Sequence, residues 1–146
     1  MWKPLIQRCD DDWIGVADRP GIWVGGVDGP RSVVNMANPV WLWPLLERSF
    51  QSVHEELEEA WSDISESAGL GEVDEFICLV VASALSSGRE YWMSLALDWV
   101  DQIGEGELHV KESVRSAIMR ASQDRGISQS LSHRLRRMAK DIRRGD

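Results

Sequence analysis

FICLVVASALSSGREYWMSLALDWV, residues 76–100, is the stretch whose reading decides the fold. From Phe76 to Leu85 the run carries no charge and only one hydroxyl, Ser83. Composition alone would allow a buried strand. The run is too long for that, because apolar residues continue through Ala84 and Leu85 before the breaker Ser86-Ser87-Gly88. A helix stopping at Gly88 is predicted, since glycine accepts the left-handed backbone conformation that closes helices. From Arg89 the pattern resumes with Trp92, Leu95, Ala96, Trp99 and Ile103 at three- and four-residue steps. Glu90, Ser94, Asp98 and Asp101 form a thin polar stripe at the same spacing. So narrow a wet stripe predicts a second helix covered around most of its circumference. A link of two or three residues predicts that the two helices lie antiparallel. The polar break at residues 86–90 stops the run well short of the roughly 20 apolar residues that a membrane span needs.

Upstream of this hairpin the chain changes character twice. Residues 1–36 read as short strands and turns. Trp13 to Ala17, Ile22 to Val24 and Ser32 to Val34 are the strand candidates. Pro20-Gly21 suits the centre of a type II turn, and Asp28-Gly29 is a hairpin dipeptide. A three-stranded antiparallel meander is predicted, supported by helices because its glycines weaken it. Asn38-Pro39 then resembles a helix start, but Pro44 obstructs it. From Leu46 an apolar seam is plain: Leu46, Phe50, Val53, Leu57, Ala60 or Trp61, and Ile64. The opposite face carries Glu47, Glu55, Glu56, Glu58, Glu59, Asp63 and Glu66, and 67–71 (SAGLG) ends it.

Downstream, Gly104-Glu105-Gly106 reads as a loop. Val110, Val114, Ala117, Ile118 and Ala121 mark a fourth helix closing near Gly126. Ser128 caps a fifth, with the seam Leu131, Leu135, Met138 and Ile142. The predicted fold is therefore α+β and mainly α: a five-helix assembly of antiparallel helix pairs with a small N-terminal antiparallel β-meander. It is read as one domain over residues 1–146. Its parts are a β-rich segment (1–36), an acidic helix with the apolar hairpin (38–103) and a basic helix pair (110–144).

Charge is unevenly spread. The net charge is −8, yet residues 1–110 hold 6 Lys/Arg against 20 Asp/Glu, and residues 111–146 hold 10 against 4. Such asymmetry points to a charged partner or to attraction within the fold. Cys9 and Cys78 have no metal-like spacing, and with no apolar leader after Met1-Trp2-Lys3-Pro4 the expected setting is cytoplasmic.

No motif for catalysis emerges. Gly25-Gly26-Val27-Asp28-Gly29 lacks the lysine and following helix of a phosphate loop, and no nucleophile elbow or cysteine-protease signature is present. His54 and Glu58 stand one turn apart, a spacing that can hold a metal, but neither His109 nor His133 supplies a second copy of the pair. No catalytic residue, cofactor or metal is expected. Residues 125–134, RGISQSLSHR, look like the turn and recognition helix of helix-turn-helix regulators, in which the second helix enters the major groove. Two departures set it apart: Ala121 lies one position too far from the glycine, and the stretch after Ser128 is one residue short.

Small size, acidity and eight tryptophans together resemble, at the level of a class, the immunity proteins and protein inhibitors of bacterial toxin systems. That resemblance implies a non-enzymatic, stoichiometric binder that masks a basic enzyme such as a nuclease. Glu55, Glu58, Glu59, Asp63 and Glu66 would provide its electrostatic face, and Trp41 or Trp43 an aromatic anchor. The alternative is a nucleic-acid-binding regulator using Arg134, Arg136, Arg137 and Lys140. Neither reading calls for a membrane.

Overall fold

The computed structural model describes residues 1–103 and 112–145. The chain forms two compact units, Met1–Ile77 and Cys78–Asp146, with the division falling inside one helix. The fold is α+β and mainly α, as the sequence predicts: among the described residues, an antiparallel sheet followed by five α-helices.

In the first unit β1 (Trp2–Cys9), β2 (Asp12–Ala17), β3 (Trp23–Gly26) and β4 (Gly29–Val33) lie in sequence order in one antiparallel sheet. The three predicted strands are β2, β3 and β4; β1 is an addition. Pro4 disguises it, because proline cannot donate to a ladder and so argues against a strand. At the sheet edge that loss is tolerated, and Pro4 pairs with Gly15. Asp10-Asp11 forms the β1–β2 turn, with Asp11 at φ 55, a left-handed conformation that aspartate accepts more readily than most residues. Gly15 is required for a different reason. A Cβ there would stand 2.1 Å from the Lys3 carbonyl oxygen, so the β1–β2 pairing closes only over a residue without one.

A 3-10 segment, Val40–Glu47, follows and contains Pro44. The long helix starts only after it. α1 (Phe50–Ala68) is capped by Ser49, whose Oγ accepts the Ser52 N–H at 3.2 Å, and closed by Gly69 at φ 71. Val53, Leu57, Ala60 and Ile64 are the buried seam of α1. The choice between Ala60 and Trp61 thus falls to the alanine, with Trp61 half-buried against Phe76 in an edge-on contact of 6.4 Å. α1 packs on β1 and β2. Ile6, Ile14, Val16, Ile22 and Val24 of the sheet and its turn are all buried. Ser67 ties the far end of α1 to the β2–β3 turn through Gly21: its carbonyl accepts the Gly21 N–H at 2.8 Å, and its hydroxyl donates to the Gly21 carbonyl at 2.9 Å.

α2 (Val73–Leu85) carries the division between the units. Residues 76–100 are helical apart from their link, and Gly88 adopts φ 74 as a stop should. In the second unit α3 (Glu90–Ile103) buries Met93, Ala96, Leu97, Trp99 and Val100, whereas Trp92 and Leu95 are only half-buried. α4 (Glu112–Ala121) packs on α5 (Gln129–Gly145). The predicted α5 seam, Leu131, Leu135, Met138 and Ile142, is buried, and Ser128 Oγ caps it by accepting the Leu131 N–H at 3.3 Å. Glu90 Oε1 accepts the Ser128 N–H at 2.9 Å, joining the starts of α3 and α5, and this hydrogen bonding holds its carboxyl below the ordinary glutamate range. The predicted loop at Gly104-Glu105-Gly106, with His109 and Val110, lies outside the described residues.

Gly15→Ala is expected to lower the unfolding free energy by roughly 2 kcal/mol, because backbone must move to admit the methyl. Gly71→Ala, whose methyl meets only the Glu75 side chain, should stay within about 0.5 kcal/mol of the parent. Urea unfolding of both variants reads the difference. Equal effects would show that the β1–β2 approach is looser than described.

Candidate functional site

Two kinds of charge meet on the first unit: a few buried or half-buried ion pairs and an unpaired acidic face. Alternation along β1, with Ile6 in, Gln7 out and Arg8 in, carries the Arg8 guanidinium to the covered side. There it meets Asp12, the first residue of β2, which is 7% exposed. Asp12 accepts from Arg8 through Oδ2 and from Arg31 of β4 through Oδ1, the latter at 2.6 Å. Burial alone would raise the Asp12 carboxyl. Hydrogen bonds and charge from Arg8 and Arg31 outweigh it and hold the group below the ordinary aspartate range.

Arg8 also organises the 3-10 segment. Its Nη1 donates to the Trp41 carbonyl at 2.9 Å, and the guanidinium lies 5.6 Å from the centre of the Trp41 ring. That distance suits a cation–π contact. The ring itself stays 48% exposed beside Val40, making Trp41 the most open of the eight tryptophans. Trp43, its predicted companion as anchor, is instead 4% exposed and belongs to the core with Leu42, Leu45 and Leu46. Two residues along a tight 3-10 turn point to different sides, so the two rings cannot share a surface. The remaining tryptophans of this unit are half-buried, and several are tied to backbone: Trp2 to Gly26, Trp23 to Arg19 and Trp61 to Gly71.

On α1 the predicted acidic residues divide. Asp63 is not free, since Lys3 Nζ reaches it at 2.8 Å. Glu56 is paired with Arg48, which also donates to the Gln7 carbonyl at 2.8 Å. Glu55, Glu58, Glu59 and Glu66 are exposed. Glu55 accepts from the neutral Gln51, at 3.3 Å, and Glu58 lies 3.4 Å from His54 Nε2. Among the described residues no lysine or arginine pairs with any of these four. His54, with its ring 5.2 Å from that of Phe50, is a rim residue. Among the described residues no three His, Cys, Asp or Glu side chains gather as a metal site would require. Trp41 and the open carboxylates stand on separate elements, and among the described residues no hydrogen bond or ion pair joins them.

The nucleic-acid candidates divide in the same way. Arg134 is committed within the second unit, donating to Asp98 at 2.7 Å and to Asp101 at 2.8 Å. It is therefore not a free phosphate contact, and the thin polar stripe read on α3 is what holds it. Arg136, Arg137 and Lys140 are exposed. The connection between α4 and α5 spans residues 122–128, longer than the three or four residues that join the helices of a helix-turn-helix. Cys9 is exposed, but partial burial of its thiol and the nearby Asp12 carboxylate push its pKa up against the pull of Arg8, making it a poor nucleophile.

No protein-family model, curated protein or solved structure matches this chain. No helix among the described residues is long and apolar enough to cross a membrane.

The Arg8–Asp12–Arg31 cluster was not read from the sequence, although an arginine alternating with Ile6 beside an aspartate before Trp13 is a detectable sign. Asp12→Ala would leave Arg8 buried without its counter-charge and should cost about 3 kcal/mol at neutral pH. Because the folded carboxyl is lowered, its stabilisation is complete above the ordinary aspartate value of about 3.9 and fades as pH falls through the folded value. The gap between parent and variant should accordingly narrow as urea-unfolding experiments move from about pH 5 to about pH 2. A gap constant across that range would mean that the carboxylate does not stabilise the fold by its charge.

Proposed function

We propose that this protein is a non-enzymatic, stoichiometric binding protein that docks a basic protein partner on the carboxylate face of α1, as an immunity or inhibitor protein masks a basic toxin enzyme such as a nuclease. One observation carries the reading. Among the described residues, the lysines and arginines of the first unit that pair with carboxylates serve Asp12, Glu56 and Asp63, and none serves Glu55, Glu58, Glu59 or Glu66. A surface of one sign, uncompensated from within, raises the rate of encounter with an oppositely charged partner and selects against acidic ones. Trp41, open at its ring and fixed from beneath by Arg8, has the character of an interface anchor: large, aromatic and of low conformational freedom. A cytoplasmic setting fits Cys9 and Cys78, between which no disulfide forms.

The test is affinity capture with the full-length protein at low salt, run in parallel with a Glu55→Lys/Glu58→Lys/Glu59→Lys variant. A basic protein should be retained by the parent and lost by the variant. Calorimetry on that pair should give at least about a 100-fold weaker affinity after charge reversal, and a steep decline with salt for the parent. Trp41→Ala should weaken the same complex by about tenfold or more without altering its salt dependence. If the reversed variant retains the same proteins with the same affinity, α1 is not the docking face.

A further inference from the structure

A second charged feature, on the C-terminal unit, has the opposite sign and a different shape. Between the end of α4 and the outer face of α5 lies an open cleft of about 590 Å³, lined by Ser122, Gln123, Arg125, Arg136, Lys140 and Arg143. Arg136, Lys140 and Arg143 follow one another at i, i+4 and i+7 and so share a face of α5, while Arg125 approaches from the connection after α4. Ala139 lies in the floor of the cleft, and its single methyl leaves the space between the cations open. Among the described residues no carboxylate lines it. Two acids adjoin lining residues in sequence: Asp141, after Lys140, does not line the cleft, and Asp124 is turned into its own loop, where Oδ1 accepts the Gly126 N–H at 2.8 Å. Among the described residues none of these four cations forms an ion pair. Arg134, on the same helix, is the internal comparison: where this fold neutralises an arginine of α5, it does so with two aspartates.

From this arrangement we infer that the α4–α5 cleft is a binding site for phosphate groups, taken either as a free polyphosphate or as the backbone of a nucleic acid. Three guanidinium forks and one ammonium held around one opening repel each other until an anion enters. Phosphate supplies the multiple charge and acceptor oxygens that forked donors match best. Ser122 is not a ligand in this state, since its hydroxyl donates to the Met119 carbonyl at 2.7 Å; Gln123 is exposed and is the neutral donor at the rim. The cleft belongs to a different unit from the α1 carboxylates, and its occupancy does not require a protein partner.

Titration of the full-length protein with inorganic tripolyphosphate, followed by calorimetry at about 50 mM salt, tests the site. Saturable binding of one tripolyphosphate is expected, weakened about tenfold or more in Arg136→Ala/Lys140→Ala. Arg137→Ala removes another exposed charge of α5 that does not line the cleft, and should change affinity less than about twofold. Circular dichroism on each variant guards against misfolding. A second arm titrates a short DNA duplex. Binding that is lost in Arg136→Ala/Lys140→Ala assigns the phosphates to a nucleic-acid backbone, whereas duplex indifference with retained tripolyphosphate binding assigns them to a free ligand. Three outcomes overturn the inference: no binding of either probe, equal losses in the Arg136/Lys140 and Arg137 variants, or equal affinity for a short polyglutamate. The first denies a site, the second reduces it to diffuse charge, and the third denies its phosphate chemistry.

Discussion

A shortage of cations governs the first unit. Met1–Ile77 holds five Lys/Arg against fifteen Asp/Glu, so most of its carboxylates must do without an ion pair. The most deeply covered carboxylate takes the most cations, whereas the pairs of the Met1 amino group with Asp18 and of Lys3 with Asp63 lie in the open. Asp12 is covered and receives two arginines, while Glu56 and Asp63 receive one cation each at the border of α1. A covered carboxylate without a partner is far more expensive than an exposed one, so the order in which cations are taken up follows from solvation. What remains exposed is acidic by necessity. The docking face proposed for α1 is thus the complement of the buried Asp12 cluster: the same few arginines that close the sheet and seat Trp41 are the ones the surface lacks.

Helices were the legible part of this fold, for a physical reason. A helix repeats its burial every three or four residues, and the seams of α1 and α5 could be read almost residue by residue because nothing but packing determines them. Where packing competes with backbone chemistry, reading failed. β1 went unseen because Pro4 contradicts a strand unless the strand is known to lie at an edge, and edge position is a property of the sheet, not of the segment. The strength of the charge contrast was visible in the sequence, but its local use was not. Nothing in the composition distinguishes Glu59, which stays open, from Asp63, which meets Lys3 from sixty residues away. The same holds for Arg134 and Arg136: the first faces α3 and its aspartates, the second faces the cleft. Two positions along a helix are about 200° apart, and only the packing angle of α5 decides which of them is neutralised. Trp43 illustrates the reverse error, in which a residue grouped with Trp41 by proximity in sequence belongs to the core.

Five of the eight tryptophans are half-buried plates, and some of these have the indole N–H held by a nearby carbonyl. Trp2, Trp23 and Trp61 all do this. Such rings cover the thin, glycine-containing sheet and the ends of α1 while keeping one edge wet, a role for which an amphipathic aromatic is well suited. Trp41 differs in what supports it: a cation beneath the ring in addition to the neighbouring apolar residues. That support fixes the ring in an open position, as a protein-binding anchor requires.

The charge layout of α1 adds a last point about purpose. Favourable carboxylates belong in the first turn of a helix and favourable cations in the last, and α1 has neither. Its acids are concentrated instead from Glu55 to Glu59, where the helix dipole does nothing for them, and Glu55 and Glu59 face each other across one turn with a mutual repulsion of a few tenths of a kcal/mol. Isolated α1 would gain stability by exchanging either for lysine. Its length, its Ser49 cap, its Gly69 stop and its apolar seam all favour the helix strongly enough to carry that penalty. A stabilised scaffold bearing a mildly destabilising surface is the pattern expected where the surface serves contact with something else, and its sign is the one that the proposed docking of a basic partner calls for.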